Sequence, residues 1–126
     1  MNKLILSILS LIIVFSACKK EKDIIDNTPA VSFDCNNRII KVNTTWEDVN
    51  SDPNKIDYII NCSVFVTEGS ILTIKPGVRI QFVGATSGIV VQDDGGIVAN
   101  GGQGQGANQG KIILEGVNHT KGEWSG

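Results

Sequence analysis

Asp93 and Asp94 stand side by side in "QDDGG" and are the first residues that could do chemistry. Two carboxylates can share a proton or help to hold a cation. Adjacent side chains on a strand point to opposite faces, so this pair does not converge on one proton or metal. Calcium asks for roughly 6–8 oxygens, and no other acid is local to these two. Hydrolysis between paired carboxylates needs a second acid across a bound sugar, and none can be placed. His119 is the only histidine and lies in the polar loop "GVNHTKG". It reads as a solvated side chain, with no Ser and Asp spaced around it as a triad. Arg79 in "GVRIQF" points outward and reads as a plain surface arginine, because no acids cluster beside it.

Gly102 to Ala107, "GQGQGA", formally matches GxGxxA. A dinucleotide site needs a strand before that pattern and a helix after it. Here Gly110 and the strand-like "KIIL" follow within a few residues, so the segment reads as a flexible loop. Gly110-Lys111 is followed by Ile112, so there is no phosphate loop either. No catalytic residue, metal ligand or cofactor is assigned.

The three cysteines are Cys18, Cys35 and Cys62. They form no CxxC and no zinc spacing. Cys35 and Cys62, with 26 residues between them, are candidates for a disulfide contributing about 3 kcal/mol. Two separately buried thiols are the alternative, and sequence does not choose between them.

Cys18 sits in a different context. Lys3 precedes an apolar or hydroxyl run of 12 residues, Leu4 to Phe15. A membrane span needs roughly 20 residues, whereas this run has the length of a signal-peptide core. The following "FSAC" resembles the lipobox of bacterial lipoproteins, with Phe15 where an aliphatic residue is usual. The resemblance implies cleavage after residue 17 and a diacylglycerol thioether on Cys18, with further acylation of the new amino end. Several acyl chains anchor a protein stably where one does not. The expected location is therefore the cell envelope, as an outer-membrane lipoprotein that charged residues after Cys18 could direct to the surface. Secretion with cleavage nearby is the alternative.

Removing residues 1–17 leaves 109 residues, enough for one small domain. The formal charge moves from −2 to −3, because Lys3 goes with the leader. That balance carries no nucleic-acid footprint, which calls for a clustered basic face. Residues 18–30, with "KKEKD" at the start and Pro29 near the end, read as a flexible, disordered tether.

From Val31 the chain becomes a series of short β-branched runs separated by Gly, Asn, Asp and Pro. This predicts an all-β domain over 31–126. A short helix is also predicted near "TTWEDVNSD", capped by Thr44 or Thr45 and stopped by Asn50, Asp52 and Pro53. In "SILTIKPGVRIQF", Leu72 and Ile74 before Pro76-Gly77 share a face, as do Val78, Ile80 and Phe82 after it. Pro presets φ and Gly takes positive φ in a type II turn. Such turns splay hairpin strands, so the pair predicts a corner. "GSILTIKPGVRI" partly recurs as "SGIVVQDDGGIVA", placing Leu72 over Ile89 and Ile74 over Val91, 17 residues on. Irregular repeats of this size suggest stacked β-coils, each sheltering the next one's inner face. The rival is a hairpin at Asp94-Gly95.

The residues that follow carry a resemblance. Val64, Val66, Gly69, Leu72–Ile74, Pro76, Gly77, Ile80 and Phe82, with "GGIVANGG", "KIILEG" and "GEWSG", are similar to the opening of right-handed parallel β-helix (pectin-lyase-like) lipoproteins of Bacteroidetes. The resemblance covers about Thr44 to Gly126. It implies that residues 31–126 form the N-terminal cap and first coils, that Trp46 covers the open N-terminal end, and that Trp124 packs on a neighbouring corner. Family members continue through further coils, so the chain is expected to be an incomplete, N-terminal portion. An indole offers an apolar face with a polar handle, and Trp46 and Trp124 are also candidates for glycan stacking. The implied function is non-catalytic display of a rigid surface for polysaccharide or a cell-surface partner. A fragment of a β-helix polysaccharide lyase or hydrolase, or a truncated inactive product, is the alternative.

Overall fold

The computed structural model describes residues 27–50, 52–102 and 110–125. The predicted signal peptide, Cys18 and most of the predicted tether lie outside the described residues, as does most of "GQGQGA". The described residues form ten short strands and one turn of 3-10 helix. In chain order the strands are β1 (Val31–Ser32), β2 (Ile39–Ile40), β3 (Thr44–Trp46), β4 (Tyr58–Ile60) and β5 (Ser63–Val66). They continue as β6 (Ile71–Ile74), β7 (Arg79–Phe82), β8 (Gly88–Val91), β9 (Gly96–Ala99) and β10 (Ile113–Gly116).

Every pairing is parallel and none joins consecutive strands. One sheet has the order β1-β4-β7-β10, the second β2-β5-β8 and the third β3-β6-β9. The chain therefore visits three sheets in turn and returns one rung further on, as the coils of a β-helix do. The Pro76-Gly77 segment is a corner, because β6 and β7 belong to different sheets. Gly77 has φ 93°, and the Val78 N–H closes on the Lys75 carbonyl at 3.4 Å. A Cβ on Gly77 would meet the end of the Asp48 side chain, 2.5 Å from its Oδ2, which can swing aside, so it is the backbone that requires glycine there.

The "DDGG" segment is also a corner. Asp93 and Asp94 have φ 50° and 60°, and the Gly95 N–H reaches the Gln92 carbonyl at 3.0 Å. The strands it joins, β8 and β9, pair with β5 and β6. The hairpin rival is thus excluded.

Two expectations need correction. The stacked partner of Leu72 is Ile97, and Ile89 lies under Val64. The 17-residue offset compared a strand with one on a different side of the coil. All strands here share a two-residue alternation, so that likeness carries no register. Second, Thr44–Trp46 is a strand paired with Leu72–Ile74, not the start of a helix. The 3-10 turn is instead Cys35–Asn37, where the Asp34 side chain accepts the Asn36 N–H.

The core follows from strand alternation. Ile60, Val64, Val66, Leu72, Val78 and Ile80 are all fully buried. Each such side chain contributes about 1.5–3 kcal/mol. At the first coil Trp46 is 5% exposed, edge-on to Phe33 at 5.9 Å and stacked on Tyr58 at 5.2 Å. On the last rungs the inner positions Val91, Ile97 and Leu114 are exposed at 44%, 39% and 42%.

The described residues between Trp46 and Asp57 leave the coil and are tied back by Asp57, which is 1% exposed. Its carboxylate accepts N–H bonds from Val49 at 3.0 Å, Asn50 at 3.2 Å and Arg79 at 2.7 Å, plus the Asn50 side-chain amide at 3.0 Å. The Tyr58 hydroxyl donates to the Glu47 carbonyl at 3.0 Å, and burial raises its pKa. Cys35 and Cys62 are joined by a disulfide, linking the 3-10 turn to the corner between β4 and β5.

Candidate functional site

The site lies where β7 and β10 present their outer faces. Register pairs Arg79 with Ile113 and Gln81 with Glu115, so Arg79 and Glu115 are diagonal neighbours on one face. Their side chains meet in a fork. Arg79 Nε donates to Glu115 Oε1 at 2.7 Å and Nη2 to Oε2 at 3.0 Å. A third donor, Nη1, reaches the Pro53 carbonyl at 3.3 Å. The side chains are only 21% and 11% exposed. The hydrogen bonds to Glu115 raise the Arg79 pKa further. Arg79 is therefore not the plain surface arginine expected from the sequence.

His119 is exposed, as expected for its loop, yet its Nδ1 lies 3.4 Å from Glu115 Oε2. Its backbone has φ 56°, a conformation for which histidine is among the better-tolerated residues. The loop is shaped by Glu123. That carboxylate accepts the Asn118 N–H at 2.7 and 2.9 Å and the Thr120 N–H at 3.2 Å. Burial opposes its charge, but the donors from Asn118 and Thr120 outweigh it and hold the pKa below the usual glutamate value.

Trp124 closes the inner side. Gly116 pairs with Phe82 in register but has no side chain. Trp124 supplies the missing ring, stacked on Phe82 with centroids 4.5 Å apart and planes 13° apart. A Cβ on Gly116 would come within 2.8 Å of Glu123 Cβ, so glycine lets the loop fold over the strand. The Ser125 N–H then bonds the Ser87 carbonyl at 2.8 Å. Between strand and loop is a cleft of about 410 Å³, lined by Leu114, Glu115, His119, Thr120, Lys121 and Trp124 among others.

The other sequence candidates lie elsewhere. Trp46 is buried among aromatic neighbours, leaving its ring no open face for a sugar. Trp124 is half-buried and faces the cleft. Asp93 accepts from the Thr67 hydroxyl at 3.0 Å, and that bond ties two coil corners together. Among the described residues, no three His, Cys, Asp or Glu side chains gather as a metal site. Sequence reasoning missed Glu115 and Asp57. Glu115 could have been found only from the β7–β10 register, and Asp57 only from the path of the described residues that lead to it from Trp46.

The chain matches no protein-family model, no curated protein and no solved structure.

Proposed function

We propose that this chain is a cell-envelope lipoprotein, anchored through Cys18, whose right-handed parallel β-helix binds glycan without catalysis at the cleft beside Trp124. One observation carries the reading. A half-buried indole shares a concave site with Glu115, His119, Thr120 and Lys121. A sugar ring has apolar C–H faces and a rim of hydroxyls. The indole suits the first. The carboxylate accepts from hydroxyls, while lysine and threonine donate. The Arg79 fork holds Glu115 in place beforehand, which lowers the ordering cost of binding. The stacked coils supply a rigid support.

A glycan array probed with residues 19–126 tests this. Binding to one polysaccharide class, weakened by Lys121→Ala, is expected. A blank array overturns the reading. The anchor is tested separately by mass spectrometry of the membrane fraction, where a lipidated Cys18 is expected.

A second reading, a fragment of a polysaccharide lyase or hydrolase, draws on Glu115 lying between Arg79 and His119. It predicts new sugar ends when a bound polysaccharide is incubated with the protein; the first reading predicts none.

A further inference from the structure

We propose that the Cys35–Cys62 disulfide is a redox latch. A dithiol that reduces it releases residues 31–40 from the coils and leaves the rungs from β3 onward standing.

Apart from the disulfide, this segment is held by two short pairings, by Phe33 edge-on to Trp46, by Arg38 over the Phe65 ring and by the Ser70 hydroxyl on the Ile40 carbonyl. β1 and β2 each pair over two residues, against four for β8 and for β9. Val31 and Ile39 are 44% and 52% exposed, and Ile40 is the segment's one buried side chain. The ion pair just beyond, Lys41–Glu68, joins two side chains more than half exposed, a kind of pair that contributes little. The link onward runs through Val42, 72% exposed, to Asn43, whose side chain accepts the Ile71 N–H at 2.9 Å, which makes Lys41–Val42 the hinge. β3 is held differently. It pairs over three residues and buries Trp46 against Tyr58. Before the hinge the apolar contacts are the edge of Phe33 on Trp46 and the buried Ile40, and beyond it the packing is continuous.

The chemistry is thiol–disulfide exchange. One thiolate of the dithiol attacks a cysteine sulfur and expels the other cysteine as a thiolate. The second thiol then displaces the mixed disulfide. Two cysteine thiols result, and the reagent leaves as its cyclic disulfide. The released ten residues extend by up to about 35 Å. On the lipid-anchor reading they lengthen the leash between membrane and coils. That consequence rests on the anchor; the release itself does not.

Amide hydrogen exchange of the full chain, with and without dithiothreitol, tests the latch. The Phe65 and Thr67 N–H groups donate to the Arg38 and Ile40 carbonyls, and the Phe33 N–H to Ile59. These three amides should exchange at least about 30-fold faster on reduction, the lower end of a typical disulfide contribution. The Val83 and Gln92 N–H groups, bonded to Ile60 and Val66, should be unchanged. A Cys35→Ser/Cys62→Ser double variant should show the same pattern without reductant. Unmoved reporters at Phe33, Phe65 and Thr67 overturn the proposal. Equal acceleration at Val83 and Gln92 also overturns it, because the bond would then hold the whole fold. Neither outcome touches the glycan reading, which the array decides.

Discussion

Arg79 and Glu115 sit 36 positions apart in sequence, yet close a two-pronged ion pair at 2.7 and 3.0 Å across neighbouring rungs. The pair is mostly shielded from water, so it counts for more than an open surface bridge. Arg79→Ala leaves Glu115 without its fork and should cost about 2 kcal/mol. Arg79→Lys keeps the charge but not the planar fork and should recover only part of that. Urea denaturation of the two variants measures both.

Asp57→Asn tests how the described residues between Trp46 and Asp57 are held. An amide nitrogen cannot accept, so some of the four N–H bonds that end on this carboxylate must be lost. Each buried donor left unpaired costs about 1–3 kcal/mol. We expect a loss of about 2–4 kcal/mol by denaturant titration, with backbone shifts at Val49, Asn50 and Arg79.

The loop over the cleft should loosen in acid. The folded pKa of Glu123 is below its ordinary value. Its stabilising effect is therefore complete above the unfolded pKa and is lost as pH falls through the folded one. NMR shifts of the Asn118 and Thr120 amides should follow this titration, and Glu123→Gln should abolish it. The Asp34 carboxylate behaves alike, held low chiefly by the Asn36 N–H, so the 3-10 turn should fray in the same direction.

Gly116→Ala places a methyl group against Glu123. The loop must move, at a cost of about 1–3 kcal/mol for overpacking. Trp124 fluorescence should change, while that of Trp46, buried in the first coil, should not.

Much of the fold was legible because its corners are chemically explicit. Proline and glycine at 76 and 77 impose a bend whatever the strands pair with. The inner positions of β6 and β7 follow from alternation alone. Register was not legible. Leu72 meets Ile97 and not Ile89, and a period of two residues looks the same on every side of the coil. The site suffered for the same reason. Arg79 and His119 were visible as residue types, but Glu115 joins them only once β10 is set beneath β7. Asp57 was invisible because three of its four donors are backbone N–H groups, which leave no mark in a sequence.

Trp124 is at once the floor tile beneath Phe82 and a wall of the cleft. Whatever settles in that cleft must therefore alter the free energy of the β7–β10 rung, and by reciprocity any slackening of that rung must weaken occupancy. A ligand would announce itself as a rise in melting temperature before its identity were known, and thermal-shift screening of sugars becomes a direct search for it.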